Sequence, residues 1–165
     1  MTAVLRSSSV TAYIALGSNL ADPERQVRDA VSELATLPGS TLGVCSALYQ
    51  TAPVGPPGQP DYINAAVRLD TRLPPRALLG ELQAIELRHG RQRDGTRWGP
   101  RTLDLDILIY GDEQVDELGL TIPHPELPRR AFVLAPLADV ASRDMLVPGM
   151  GNLAALLEQC PLEGI

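Results

Sequence analysis

The chain has 165 residues, 44% hydrophobic and 21% charged, with a formal charge of −6 from fourteen basic and twenty acidic side chains. That balance is globular and sized for one domain over residues 1–165, and the negative charge argues against a whole-surface nucleic-acid or anionic-membrane binder. Every basic residue is Arg, which excludes a Walker A loop, a Schiff-base lysine and a lysine general base.

After a polar start at Arg6–Ser9, residues 10–16 read as a buried strand ending at Gly17-Ser-Asn. Asp22 before Pro23 predicts an N-cap and first helical position. Val27, Ala30, Val31, Leu34 and Leu37 then repeat at helical spacing until Pro38-Gly39. Residues 41–50 read as one strand, with Leu42, Val44, Ser46 and Leu48 on one face. A Pro/Gly-rich loop over 51–60 precedes a third strand at 61–71. Pro74-Pro75 opens a second helix with Leu78, Leu79, Leu82 and Ile85 on one face, ending near His89-Gly90. An Arg-dense loop leads to a fourth strand at 102–110. Beyond it lie a hairpin-like piece, a Pro-rich turn and a short terminal helix around 153–157. The order β-α-β-β-α-β predicts an α+β, ferredoxin-like fold, an antiparallel sheet with both helices on one face and C-terminal additions.

Cys45 and Cys160 fit no zinc spacing or disulfide framework and read as small hydrophobes. His89, at a helix C-terminus, reads as a dipole partner. No apolar run approaches the roughly 18 residues of a membrane span, and Met1–Val10 lacks a signal-peptide core. A reducing cytoplasm is the expected setting.

The segment Arg101-Thr-Leu-Asp-Leu-Asp-Ile-Leu-Ile-Tyr110 carries the most chemistry. On a strand, Asp104 and Asp106 share one face while Leu103, Leu105 and Ile107 share the other. Two carboxylates about 7 Å apart along a strand suit a pair of magnesium ions that leave positions for water and phosphate; alone they also suit a solvated strand edge. The run from Arg88 to Arg101 adds Arg91, Arg93 and Arg97, and guanidinium groups hold phosphate oxygens in bidentate fashion. Trp98, the only Trp, sits in that polar loop, where it can pack under a ligand or anchor the loop. His124, fixed between two prolines near Arg129-Arg130, is a candidate for phosphate contact or proton transfer. Tyr62 and Asn64 share a strand face, an aromatic wall beside an amide able to read a flat heterocycle.

Together these pieces resemble the 6-hydroxymethyl-7,8-dihydropterin pyrophosphokinase family of folate biosynthesis. The matching segments are Tyr13–Leu20, Tyr49–Pro56, Asp61–Val67, Gly90-Arg91 with Arg93, Arg97–Ile107, and Ile122–Pro125 with Arg130–Leu134. The resemblance implies pyrophosphoryl transfer from ATP to the hydroxymethyl group of a reduced pterin, with release of AMP. It implies that Asp104 and Asp106 hold two Mg2+ ions on the ATP phosphates and that Arg91 and Arg101 stabilise the transferring group. Gln83, Glu86, Arg93, Ile107, Thr121, His124 and Arg130 would contact the nucleotide. The pterin would lie between Tyr62 and Phe132, read by Asn64 and the backbone of Thr51 and Val54, with Trp98 closing over both substrates. Asp94 and Gly119 stand where some members carry basic residues. The family's two flexible loops correspond to Val54–Pro60 and Arg88–Arg101.

Two other readings share the fold. A nucleotidyl-transfer enzyme would keep the carboxylate pair but release pyrophosphate. An RNA-binding module would need exposed strand aromatics and a basic face, whereas the chain has one Phe, one Trp and four Tyr and is acidic. The expected partners are therefore small molecules, with no nucleic acid or membrane, and the expected state is a monomer.

Overall fold

The computed structural model describes residues 4–52, 58–90 and 103–161. Strand β1 (Val10–Ser18) lies inside a five-stranded antiparallel sheet, which is why it is apolar along nearly its whole length. Helix α1 (Pro23–Leu34) opens on Pro23, whose missing N–H costs nothing in a first turn, and buries Val27, Ala30 and Leu34. Asp22 does not cap it by side chain. Its φ of 64° replaces the extended backbone that a capping residue needs, and its carbonyl instead accepts from Gln26 N at 3.0 Å.

The single strand expected over 41–50 is two: β2 (Ser40–Cys45) and β3 (Tyr49–Thr51), both paired with β4 (Tyr62–Thr71). The register on β4 slips between Leu42 and Cys45. Ser46 then ties itself to Ala66, its N–H donating to Ala66 O and its Oγ accepting from Ala66 N. The expected shared face is lost at that slip: Val44 is exposed while Ser46 is buried. Cys45 is likewise exposed rather than packed as a small hydrophobe, whereas Cys160 is buried.

Helix α2 (Pro75–Arg88) buries Leu78, Leu82 and Ile85, as their spacing predicts. His89 caps its C-terminus and reaches α1 through Gln26 and through Glu33 Oε2 at 2.5 Å. Strand β5 (Asp104–Tyr110) completes the order β2-β4-β1-β5, with β3 also against β4. This is the expected ferredoxin-like arrangement. Helices α1 and α2 close one face over Ile14, Leu16, Val67, Leu105 and Ile107.

The opposite face is also covered. Beyond the hairpin β6 (Val115–Glu117) and β7 (Leu120–Ile122), a 3₁₀ turn (Leu127–Arg129) leads into α3 (Ala131–Val140). A small pair, β8 (Leu146–Val147) and β9 (Gly151–Asn152), precedes α4 (Leu153–Gln159), capped by the Asn152 side chain. The sequence pattern does not predict α3, because it is nearly all apolar and carries Pro136 within it. A helix covered on most sides shows no polar stripe, and an internal Pro reads as a breaker. Leu134 and Leu137 pack with Tyr13, Ala66, Leu108 and Ile109 in a second core. The register between β1 and β5 slips between Ile14 and Tyr13, so Leu108 and Ile109 both join that core while Tyr110 returns to the first.

Candidate active site

The two carboxylates of β5 face the side of the sheet that α3 covers. Leu103, Leu105 and Ile107 belong to the first core, as alternation requires, and Asp104 and Asp106 stand half-buried on the other side. They are about 7 Å apart along the strand. Pairing extends this face across the sheet. Asp104 lies opposite Gly17, Gly17 opposite Asn64, and Asn64 opposite Tyr49. The next row is Asp106, Ala15 and Ala66.

With strands about 4.8 Å apart, Asn64 and Asp104 stand about 10 Å from each other with a glycine between them. The central strand thus presents small residues, Ala15 and Gly17, between Asp106 and Asp104 on β5 and Ala66 and Asn64 on β4. A Cβ at Gly17 would lie 3.0 Å from Asn64 Oδ1 and 3.8 Å from Tyr62 Cδ1. The floor is shaped by what is missing. Composition and motif spacing did not single out Gly17 and Ala15; the signal was the fall in side-chain size along Tyr13, Ala15 and Gly17.

Asn64 is 8% exposed and its Nδ2 donates to Thr51 Oγ1 at 2.6 Å, so the amide is held against β3. Tyr62 lies opposite Thr51 in the same ladder. The loop after β3 is tied back at its far end, where Asn19 Nδ2 donates to Pro60 O at 3.0 Å and to Gln59 Oε1 at 3.3 Å.

Among the described residues no further strand pairs with the outer edge of β5, and side groups take that place. Leu105 N, between the two aspartates, donates to Glu86 Oε2 at 2.9 Å, and Glu86 is only 3% exposed. Leu108 O accepts from His124 N at 2.9 Å. A buried carboxylate and a backbone amide therefore clamp the metal-suited segment from outside. Gln83, half-buried, lies three residues before Glu86, on the same face of α2. Ile107 is 4% exposed within the first core, so its side chain packs on the face opposite the carboxylates.

His124 Nδ1 accepts from Glu126 N at 3.1 Å, which leaves Nε2 as the position for the imidazole proton. Burial pulls its pKa below the ordinary value, the charge of Asp106 opposes that shift, and the charge of Arg130 reinforces it. These three side chains are close enough to feel one another. Arg130 precedes α3, and its Cζ lies 5.7 Å from the centroid of the Phe132 ring, within reach of a cation–π contact. Thr121 is exposed on β7, between buried Leu120 and Ile122. Arg91, Arg93, Trp98, Arg101 and Val54 lie outside the described residues. Among the described residues, no three His, Cys, Asp or Glu side chains converge as a metal cluster, and Asp104 with Asp106 is the hard-oxygen pair able to share a cation with phosphate and water.

A family profile described as 7,8-dihydro-6-hydroxymethylpterin-pyrophosphokinase (HPPK) matches residues 13–142. The 2-amino-4-hydroxy-6-hydroxymethyldihydropteridine pyrophosphokinase of Pseudomonas aeruginosa is 50% identical over 153 residues, covering 93% of both chains. The protein of the same name from Haemophilus influenzae is 46% identical over 150 residues, covering 91% of this chain and 92% of its own. Among solved structures, wild-type Plasmodium falciparum HPPK-DHPS with pteroate aligns with a TM-score of 0.69 at 13% identity. That alignment covers 96% of this chain and 43% of the other, and at such identity it shows a shared fold.

Proposed function

The chain belongs to the 7,8-dihydro-6-hydroxymethylpterin-pyrophosphokinase family, and on that basis we propose that the face shared by Asn64, Gly17, Asp104 and Asp106 is where its two substrates meet. The enzyme transfers pyrophosphate from ATP to the hydroxymethyl group of 6-hydroxymethyl-7,8-dihydropterin and releases AMP, a step of folate biosynthesis. The pterin hydroxyl oxygen forms a bond to the β-phosphorus, the bond from that phosphorus to the α–β bridging oxygen breaks, and the hydroxyl proton is lost.

The observation that carries the site assignment is the row Asn64–Gly17–Asp104, an amide and a carboxylate about 10 Å apart across a bare backbone. That gap suits a flat ring on the Asn64 side and phosphates on the Asp104 side. In this reading Tyr62 and Phe132 flank the pterin, and Asn64 reads its edge with the backbone of Thr51 and Val54. Asp104 and Asp106 hold two Mg2+ ions, which supply charge neutralisation on the phosphates when bound. Glu86 keeps the strand between those aspartates in place through Leu105 N and, in this reading, also contacts the nucleotide. Ile107 offers its backbone alone, since its side chain is in the core.

Gln83, Thr121, His124, Arg130 and Arg93 line the nucleotide side, His124 as a neutral hydrogen-bond donor through Nε2. Arg91 and Arg101 stabilise charge on the transferring group, and Trp98 closes the site. Residues 1–165 act as one domain, which is supported by two cores sharing a single sheet. A monomer in the cytoplasm is the proposed state; no helix among the described residues is long and apolar enough to cross a membrane.

The test is a reaction with hydroxymethyl-dihydropterin, ATP and magnesium in which the nucleotide product is identified. AMP is expected; pyrophosphate release with a nucleotidylated acceptor would favour the nucleotidyl-transfer reading instead. Arg91→Ala and Arg101→Ala should lower kcat, and a loss confined to KM would contradict their role.

A further inference from the structure

We infer that the hydrogen bond between Tyr49 and Asp139 is a positioning contact for pterin recognition, holding α3 and Phe132 in place relative to Asn64. The inference rests on the pterin pocket proposed above. Asp139 Oδ2 accepts from Tyr49 OH at 2.9 Å and from Ala47 N at 3.2 Å, joining segments some 90 residues apart in sequence. Neither residue has a part in the pocket as assigned. Both are linked to it by short paths.

On the sheet side, Tyr49 lies directly opposite Asn64, and two residues on Thr51 accepts from the Asn64 amide. The preceding Ser46 is fastened to Ala66 through both its backbone and its hydroxyl. The segment 46–51 is therefore a rigid border of the pocket. On the helix side, Asp139 follows Phe132 by seven residues, two turns and about 10.5 Å along α3, which places both on one stripe of the helix.

The helix's own sequence supplies few directional contacts. Its N-terminal residue has no side-chain cap, its first turn carries no acid, and Pro136 gives no N–H to the Phe132 carbonyl. Apolar packing against the sheet holds the helix down but is weakly directional, so it specifies the helix's rotation and slide less sharply than a hydrogen bond does. The hydrogen bond two turns from Phe132 adds that directional contact. Burial and the neighbouring Asp139 both push the Tyr49 phenol upward, so it stays a protonated donor at neutral pH.

The test is steady-state kinetics with each substrate varied in turn, on Asp139→Ala, Asp139→Asn, Tyr49→Phe and, as reference, Asn64→Ala. Asp139→Ala and Tyr49→Phe should raise the KM for the pterin roughly three- to tenfold, the worth of one exposed hydrogen bond. The KM for ATP should stay within about twofold. Asp139→Asn should behave like the parent enzyme, because a single oxygen accepts both bonds. An unmoved pterin KM in Asp139→Ala, with Asn64→Ala impaired, overturns the positioning role alone. Equal rises in both KM values, or Asp139→Asn matching Asp139→Ala, also overturn it. An Asn64→Ala enzyme with a normal pterin KM overturns the pocket and this inference together.

Discussion

Gly17 separates Asn64 from Asp104: the three residues form one row across β4, β1 and β5, with the glycine paired to each of the others. The row sets the dimensions of the proposed site because antiparallel pairing fixes the spacing and the pleat fixes the side. A side chain on the central strand would fill the gap, and the nearest obstacle is the Asn64 carboxamide oxygen.

Gly17→Ala should therefore act on the pterin first. Its Cβ would stand 3.0 Å from Asn64 Oδ1, and the amide is already committed to Thr51. Titration calorimetry should show pterin affinity reduced by roughly tenfold, the scale of about 1–3 kcal/mol for a tight insertion, with ATP affinity little changed. Unaltered pterin affinity would show that the amide moves aside without cost.

Glu86 should behave as a strand clamp. Glu86→Ala leaves Leu105 N without its buried acceptor, a loss of about 1–3 kcal/mol in stability, and loosens the segment that bears both aspartates. Glu86→Gln keeps an acceptor oxygen and should retain more of both stability and kcat. Thermal melting beside kcat measurement checks this; a Glu86→Ala enzyme with normal melting and normal kcat would remove the clamp.

His124 gives a pH signature in metal-free protein. Its pKa is lowered in the fold, chiefly by burial, so below the ordinary value near 6.5 the unfolded chain binds the proton more readily. The stabilising contribution is full above about 6.5 and is lost as pH falls through the folded value. In EDTA, the parent protein should lose stability relative to His124→Gln as pH drops below about 6.5. Parallel stability curves for the two would contradict a neutral, buried imidazole.

The repeat of apolar residues made α1, α2 and the strands legible in the sequence, and alternation alone put Asp104 and Asp106 on a common face. What escaped was non-local. The break at Ser46 depends on Ala66, twenty residues away, and no local pattern marks it. Helix α3 hid behind its own burial and Pro136. The bond from Leu105 N to Glu86 left no mark in the sequence, because its donor is a backbone group. Gly17 was visible only as the end of a strand, since its role is to leave room for Asn64.

The most direct measurement is the magnesium dependence of binding for a non-hydrolysable ATP analogue, compared between the parent protein and Asp106→Asn by titration calorimetry. The parent should bind the analogue at least roughly tenfold more tightly with magnesium than with EDTA, about 1.4 kcal/mol, and the variant should lose that gain while melting normally. A gain of the same size in Asp106→Asn would contradict the placement of metal-bridged phosphates on this face of β5.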